Sequence, residues 1–150
     1  MMELVKVNTK EIQGLSIRTN NADEMEPSTA KIALLWQEFH DEFAAILADD
    51  ATVYGVYYDY QSDASGDFSL VAGSDMFDDW EGVSLQPVHI EAGNYLMFSA
   101  QGDMPQAVID VWQQIWAYFS AQDCPHRRLY RTDFERYIGS DKVQVYIGVQ

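Results

Sequence analysis

Apolar residues recur at spacings of three and four in two stretches of this chain and alternate with polar ones in several others. In the first stretch Ile32, Leu35, Trp36, Phe39, Phe43, Ile46 and Leu47 share one side, with Glu38, Asp41 and Glu42 on the other. That pattern predicts a helix over 28–48 with one buried stripe and one solvated face. Pro27 stops what precedes it, and Ser28 is the expected N-cap. Val108, Val111, Trp112, Ile115, Trp116 and Phe119 predict a second helix over 103–119, with Asp103 as N-cap and Pro105 in the first turn, where a missing N–H costs nothing.

Strands are expected at Leu15–Arg18, Val53–Tyr60 and Asp67–Ala72, and again at Tyr95–Ala100, Arg128–Arg131 and Val143–Val149. The order strand, helix, strand, strand therefore occurs twice, which predicts an α+β fold of two tandem modules with pseudo-twofold symmetry and a groove at their junction. Between its last two strands the second half carries Thr132-Asp133-Phe134-Glu135-Arg136-Tyr137, which reads as an acidic insertion absent from the first. In Val143-Gln144-Val145-Tyr146-Ile147-Gly148-Val149 the aliphatic face is expected to cover the helices, leaving Tyr146 on the opposite side. The run from Tyr54 to Tyr60 is tyrosine-rich, so either parity places a phenol on each face. Residues 61–66 read as a hairpin loop, and residues 73–87 as an acidic connector between the halves, either solvated or lying over a groove as a lid.

Charge narrows the range of partners. The 150 residues are 47% hydrophobic, enough for a core, and nine basic residues against 24 acidic ones give a net charge of −15. Such a surface repels phosphate backbones and anionic lipid. One cysteine, Cys124, permits no internal disulfide, and neither a leader pattern nor a membrane-length apolar run is present, so a cytoplasmic location is expected. His40, His89 and His126 are scattered, the stretch 63–67 lacks calcium-loop spacing, and glycine-rich phosphate loops and nucleophile elbows are missing; no cofactor or metal is expected.

Longer fragments carry a resemblance. Leu15-Ser16-Ile17-Arg18-Thr19-Asn20-Asn21, Lys31-Ile32 with Leu35-Trp36 and Phe39, and Val53-Tyr54-Gly55-Val56-Tyr57 resemble the first half of the GyrI-like effector-binding domains. Ala92-Gly93-Asn94-Tyr95-Leu96-Met97-Phe98, Trp112-Gln113-Gln114-Ile115-Trp116, Asp133-Phe134-Glu135-Arg136-Tyr137 and Val145-Tyr146-Ile147 continue it through the second. The resemblance implies one such domain over 1–150, with modules at about 1–75 and 87–150, each a helix on a small antiparallel sheet. In multidrug-responsive regulators of the AraC and MerR types, similar domains hold lipophilic cations among aromatic side chains with one glutamate, and Glu135 matches that position. The segment before Leu15 is too short for a helix-turn-helix, so the chain is similar to stand-alone members, among them gyrase-modulating proteins, hydrolases and small proteins of mobile integron cassettes.

The residues admit a plainer reading of Glu135. Thr132-x-x-Glu135 has the form of a capping box, in which glutamate serves a short helical turn. Trp36, Phe39, Trp112 and Trp116 fit a core as well as a groove wall, and Arg136, beside Glu135, is expected to face solvent. The expected ligand set is Glu135, Tyr146, Tyr58, Trp116, Trp36 and Tyr137, taking a lipophilic cationic small molecule for sensing or sequestration. A hydrolase using Glu135 as base or nucleophile with Tyr58 or Tyr146 as acid is one rival. The other is an acidic surface facing a basic protein partner such as gyrase or a separate DNA-binding protein. Direct binding to nucleic acid or membrane is not expected. The protein should therefore leave duplex DNA unshifted in an electrophoretic assay even at low salt; a complex that weakens steeply with added salt would reveal a basic patch hidden by the average.

Overall fold

The computed structural model describes residues 2–43, 52–62, 66–75, 86–139 and 141–150. The end of the expected first helix (44–48), the tip of the hairpin loop (63–65) and most of the connector between the halves (76–85) lie outside them. The elements in chain order are β1 (Met2–Val7), β2 (Lys10–Thr19), α1 (Asn21–Glu24), α2 (Ile32–Phe43), β3 (Val53–Tyr58), β4 (Phe68–Ser74), β5 (Gln86–Ile90), β6 (Gly93–Gln101), α3 (Gln106–Ser120), β7 (Arg128–Ile138) and β8 (Lys142–Val149). This is the expected α+β fold. All eight strands join one antiparallel sheet in the order β1-β6-β8-β7-β3-β4-β2-β5.

That order is symmetric about its centre when β3 is matched with β7, β4 with β8, β2 with β6 and β5 with β1. Two strands were not foreseen, and both are edges: β1 pairs with β6 of the second half, and β5 pairs with β2 of the first. Each edge thus comes from chain outside the repeat it completes. Short, partly charged segments such as Met2-Glu3-Leu4-Val5-Lys6-Val7 carry little burial signal, because an edge strand faces solvent along one side.

Alternation sorts the sheet into two faces. Toward the helices, Phe68, Leu70 and Ala72 pack with Leu35 and Phe39 of α2, while Leu96, Phe98, Val143, Val145, Ile147 and Val149 pack with Val111 and Ile115 of α3. Trp112 touches both clusters and so bridges the halves. On the other face Ile12, Tyr54, Val56, Val71, Val88, Ile90, Tyr95 and Phe134 form a core on which, among the described residues, no helix packs. The sheet curls to close it, bringing edge strand β5 against central β7. Thr132 secures this closure: its hydroxyl accepts the Glu91 N–H at 3.1 Å and lies 2.8 Å from the Tyr95 hydroxyl.

Three local expectations are corrected. Thr132 to Tyr137 is neither an insertion nor a capped turn but the middle of β7, whose alternating contacts on both faces and pairing on both edges outweigh the local capping pattern. Ser28 does not cap α2; the Glu24 carboxylate does so from the preceding turn, accepting the Lys31 N–H at 2.9 Å and the Ile32 N–H at 3.1 Å. The Asp103 side chain does not cap α3; its carbonyl accepts the Ala107 N–H at 2.9 Å.

Backbone proximity sets one sharp constraint. Gly14 pairs with Gly73 where β2 passes from β5 to β4, and a Cβ on Gly14 would stand 2.0 Å from the Ala72 carbonyl oxygen. Because that neighbour is backbone, the strands themselves must part. Gly14→Ala should destabilise the fold by at least the upper part of the ~1–3 kcal/mol range for overpacking, measured by denaturant unfolding; an unchanged midpoint would mean that this part of the sheet is pliant.

Candidate functional site

Residues 133, 135 and 137 of β7 point to the helix side, and so do their partners Tyr57, Gly55 and Val53 on β3. Glu135 therefore lies at the midline of the sheet under the space between the two helices. Its neighbour across the ladder is Gly55, where a Cβ would come within 2.8 Å of Glu135 Oε1 and 3.0 Å of Trp36 Cζ2. The glycine makes room for the carboxylate and for the indole above it.

Glu135 is 2% exposed. Its Oε2 accepts hydrogen bonds from the Tyr57 hydroxyl at 2.8 Å and from Trp112 Nε1 at 2.7 Å, and its Oε1 accepts from the Tyr137 hydroxyl at 2.8 Å. Among the described residues no cationic side chain pairs with it. Burial raises its pKa above the ordinary glutamate value, and the three hydrogen bonds pull the other way without cancelling that effect. Burial, and after it the negative charge of Glu135, pushes the Tyr57 and Tyr137 phenols well up, so both stay protonated as donors.

Above the carboxylate opens a cavity of about 1020 Å³, the size of the larger small-molecule pockets. Its walls are apolar and aromatic, with Trp36 from α2, Trp112 and Trp116 from α3, and Tyr57 and Tyr137 from the sheet. Edge-to-face contacts hold several of these rings: Trp36 to Tyr137 at 5.2 Å and Tyr57 to Trp112 at 5.1 Å between centroids. Trp116 is 37% exposed, so this wall reaches solvent. Glu24 also lines the cavity, but it is half-buried and its oxygens are held by Thr19 and the first N–H groups of α2. The positive end of the α2 dipole adds to their effect there, whereas Glu135 has only neutral side-chain donors.

Of the six residues expected from sequence, Glu135, Trp36, Trp116 and Tyr137 meet in this cavity. Tyr146 and Tyr58 do not. The parity argument placed Tyr146 correctly on the face away from the helices, but the cavity lies between the helices. Tyr146 instead stacks on Phe134 at 4.4 Å, and Tyr58 packs in the same core with its hydroxyl 3.1 Å from Ser16 Oγ. Arg136 is on that face too, donating to Gln144 at 3.2 Å rather than standing free in solvent. Sequence reasoning missed Tyr57, Trp112 and Gly55. Tyr57 shares strand parity with Gly55, and Trp112 stands one turn before Trp116 in the apolar stripe, but nothing in either pattern says which residues leave the core to line a cavity.

Comparison with known proteins supplies the family and the fold relatives. An integron cassette protein from the mobile metagenome of Vibrio cholerae, VCH_CASS2, is 41% identical, with a TM-score of 0.90 over 99% of this chain and 95% of that one. YobU of Bacillus subtilis (strain 168), a candidate transcriptional regulator, is 26% identical over 142 residues, covering 89% of this chain and 84% of that one. The structure of SAV2435 bound to tetraphenylphosphonium has the same fold at 17% identity, with a TM-score of 0.74 over 100% of this chain and 94% of that one. Residues 3–149 match the Cass2 family, and the chain is thus a member of the integron-associated effector binding proteins.

Proposed function

We propose that this protein binds lipophilic cations in the aromatic cavity with Glu135 as counterion, acting in sensing or sequestration of such compounds. The observation that carries the reading is a fully buried carboxylate, facing a large apolar cavity, that has hydrogen-bond donors but, among the described residues, no countercharge. Ionising such a group is costly until a cation arrives. An aryl cation supplies the missing charge while its rings bury apolar area at about 25 cal/mol per Å², and each aromatic wall adds roughly 0.5–2 kcal/mol of cation–π attraction. With three lone-pair sites of Glu135 already taken, a cation that needs no hydrogen bond suits the site better than a primary ammonium. SAV2435, with the same fold, was solved with a ligand of that kind. Binding is favoured over catalysis because the neighbouring carboxylate, Asp133, is committed to Arg128, Tyr60 and the Gly148 N–H.

Glu135→Gln is the direct test. The amide carbonyl still accepts from Tyr57 and Trp112 and the amide can donate to the Tyr137 hydroxyl, so the fold should persist. Affinity for tetraphenylphosphonium, read by tryptophan quenching, should fall by on the order of tenfold, or ~1.4 kcal/mol. Full affinity in the folded variant would remove the carboxylate from the mechanism.

The raised pKa of Glu135 gives a pH signature. Protons compete with the cation, so affinity should drop as pH falls through that raised value, above the ordinary 4.5, and Glu135→Gln should flatten this dependence. For the free protein the sign is opposite. The neutral carboxyl is the better-tolerated buried form, so its contribution to stability is full below the unfolded pKa and is lost as pH rises through the folded one. Comparison of parent and variant melting curves across this range isolates it from the other acidic groups.

Gly55→Ala tests the floor of the cavity. The added Cβ must displace Glu135 Oε1 or Trp36, so cation affinity should fall although alanine otherwise favours folding by roughly 0.4–1 kcal/mol. A stabilised variant with unchanged affinity would show that the carboxylate has spare room.

A further inference from the structure

The cavity above Glu135 changes character along α3. Its start and the residues leading into it contribute Met104, Pro105, Val108 and Ile109 to the lining, all of them apolar. Further along the helix the lining turns to Trp112 and Trp116, and then to Arg128, whose Cζ lies 5.9 Å from the ring centroid of Phe119 in the last turn. Glu135 belongs between these stretches, because Trp112 Nε1 donates to it at 2.7 Å.

Tyr137 ties the apolar stretch to the carboxylate. Its hydroxyl donates to Glu135 at 2.8 Å, and its ring packs against the same hydrophobic cluster as Met104 and Val108. An apolar wall thus leads from Glu135 past Tyr137 to the start of α3. Pro105 precedes Trp112 by seven residues. That is about 10 Å of helix rise, which an extended alkyl chain of roughly eight carbons spans.

Two features say what belongs along this wall. Ile109 and Trp116, two turns apart on one stripe of α3, are 44% and 37% exposed and both line the cavity, and adjoining apolar side chains open to solvent at the rim of a pocket mark ligand surface. The second feature is electrostatic. The positive end of the α3 dipole lies at this end of the cavity, and among the described residues no side chain caps it. A cationic group is repelled from there, whereas a neutral chain meets no such cost. An amphiphile is therefore oriented one way, with its charge at the carboxylate and its apolar tail toward the start of α3.

We infer that the start of α3 forms a tail subsite, so that the preferred ligands are aryl cations carrying one unbranched alkyl chain of about eight carbons. This rests on the cation reading of Glu135 and names its ligand class. Met104 suits the role, because a flexible thioether adapts to a chain without fixed shape. Pro105 is exposed, so a longer chain emerges into water and gains nothing more.

Alkyltriphenylphosphonium salts from methyl to dodecyl, kept below their micelle concentrations, test the subsite by tryptophan quenching. Affinity should rise by about twofold per added methylene, half the free energy of complete burial because the wall is open to solvent on one side, and should level off near the octyl compound. Ile109→Ser changes an exposed position where the fold should persist, and should lower the ratio of octyl to methyl affinity by about threefold or more. The Met104 methyl resonance should differ between the octyl and methyl complexes. Flat affinity from methyl to octyl, with tetraphenylphosphonium still bound, overturns the tail subsite and leaves the cation reading intact. A rise that continues through dodecyl, or one untouched in folded Ile109→Ser, overturns it as well, since the chain then adsorbs to apolar surface elsewhere. A gain with chain length and an unmoved Met104 signal overturns the assignment to α3. Binding of none of these cations overturns the cation reading and this inference with it.

Discussion

A carboxylate taken out of water must be given donors, and the need to bring three of them to Glu135 connects this fold from end to end. Tyr57 arrives from β3 in the first half, Trp112 from α3 and Tyr137 from β7 in the second. None can reach the carboxylate unless β3 and β7 pair in register with Gly55 opposite Glu135. The seam between the repeats and the site are consequently one structure. Burial raises the pKa of the group, and the three neutral donors offset that rise only in part.

β7 solves the same problem in two ways along one face. Asp133 receives a guanidinium, a phenol and a backbone N–H, and is closed off as a structural unit. Glu135 receives phenols and an indole and faces the cavity. The contrast separates a carboxylate paired with a guanidinium from one that has neutral donors and borders a cavity. The cavity accordingly combines apolar and aromatic walls with one buried carboxylate beneath them.

Curling the sheet divides the labour between its faces. The face away from the helices closes into a core of its own, with the Phe134–Tyr146 stack and the Thr132 bonds to the segment after β5. That closure frees the helix face from burying everything, so α2 and α3 can stand apart at the midline. Trp112 spans the gap and Trp36 and Trp116 flank it.

The sequence alone determined the elements whose burial is periodic. The stripes from Ile32 to Phe39 and from Val108 to Phe119 produced α2 and α3, and the aliphatic alternation in Val143 to Val149 placed Tyr146 on the correct face, because such patterns are local and repeat. The place of Glu135 in the cavity was indicated only by resemblance, since its own neighbourhood reads equally as a capping box. The tertiary structure decided the rest. It made Thr132 to Tyr137 a central strand, because pairing on both edges outweighs a local cap, and it added β1 and β5, whose edges leave weak burial signals. It also chose which face carries the cavity, excluding Tyr146 and Tyr58 and admitting Tyr57 and Trp112. That choice depends on where two helices fail to meet, a distance between elements far apart in the chain that no periodicity within either one encodes.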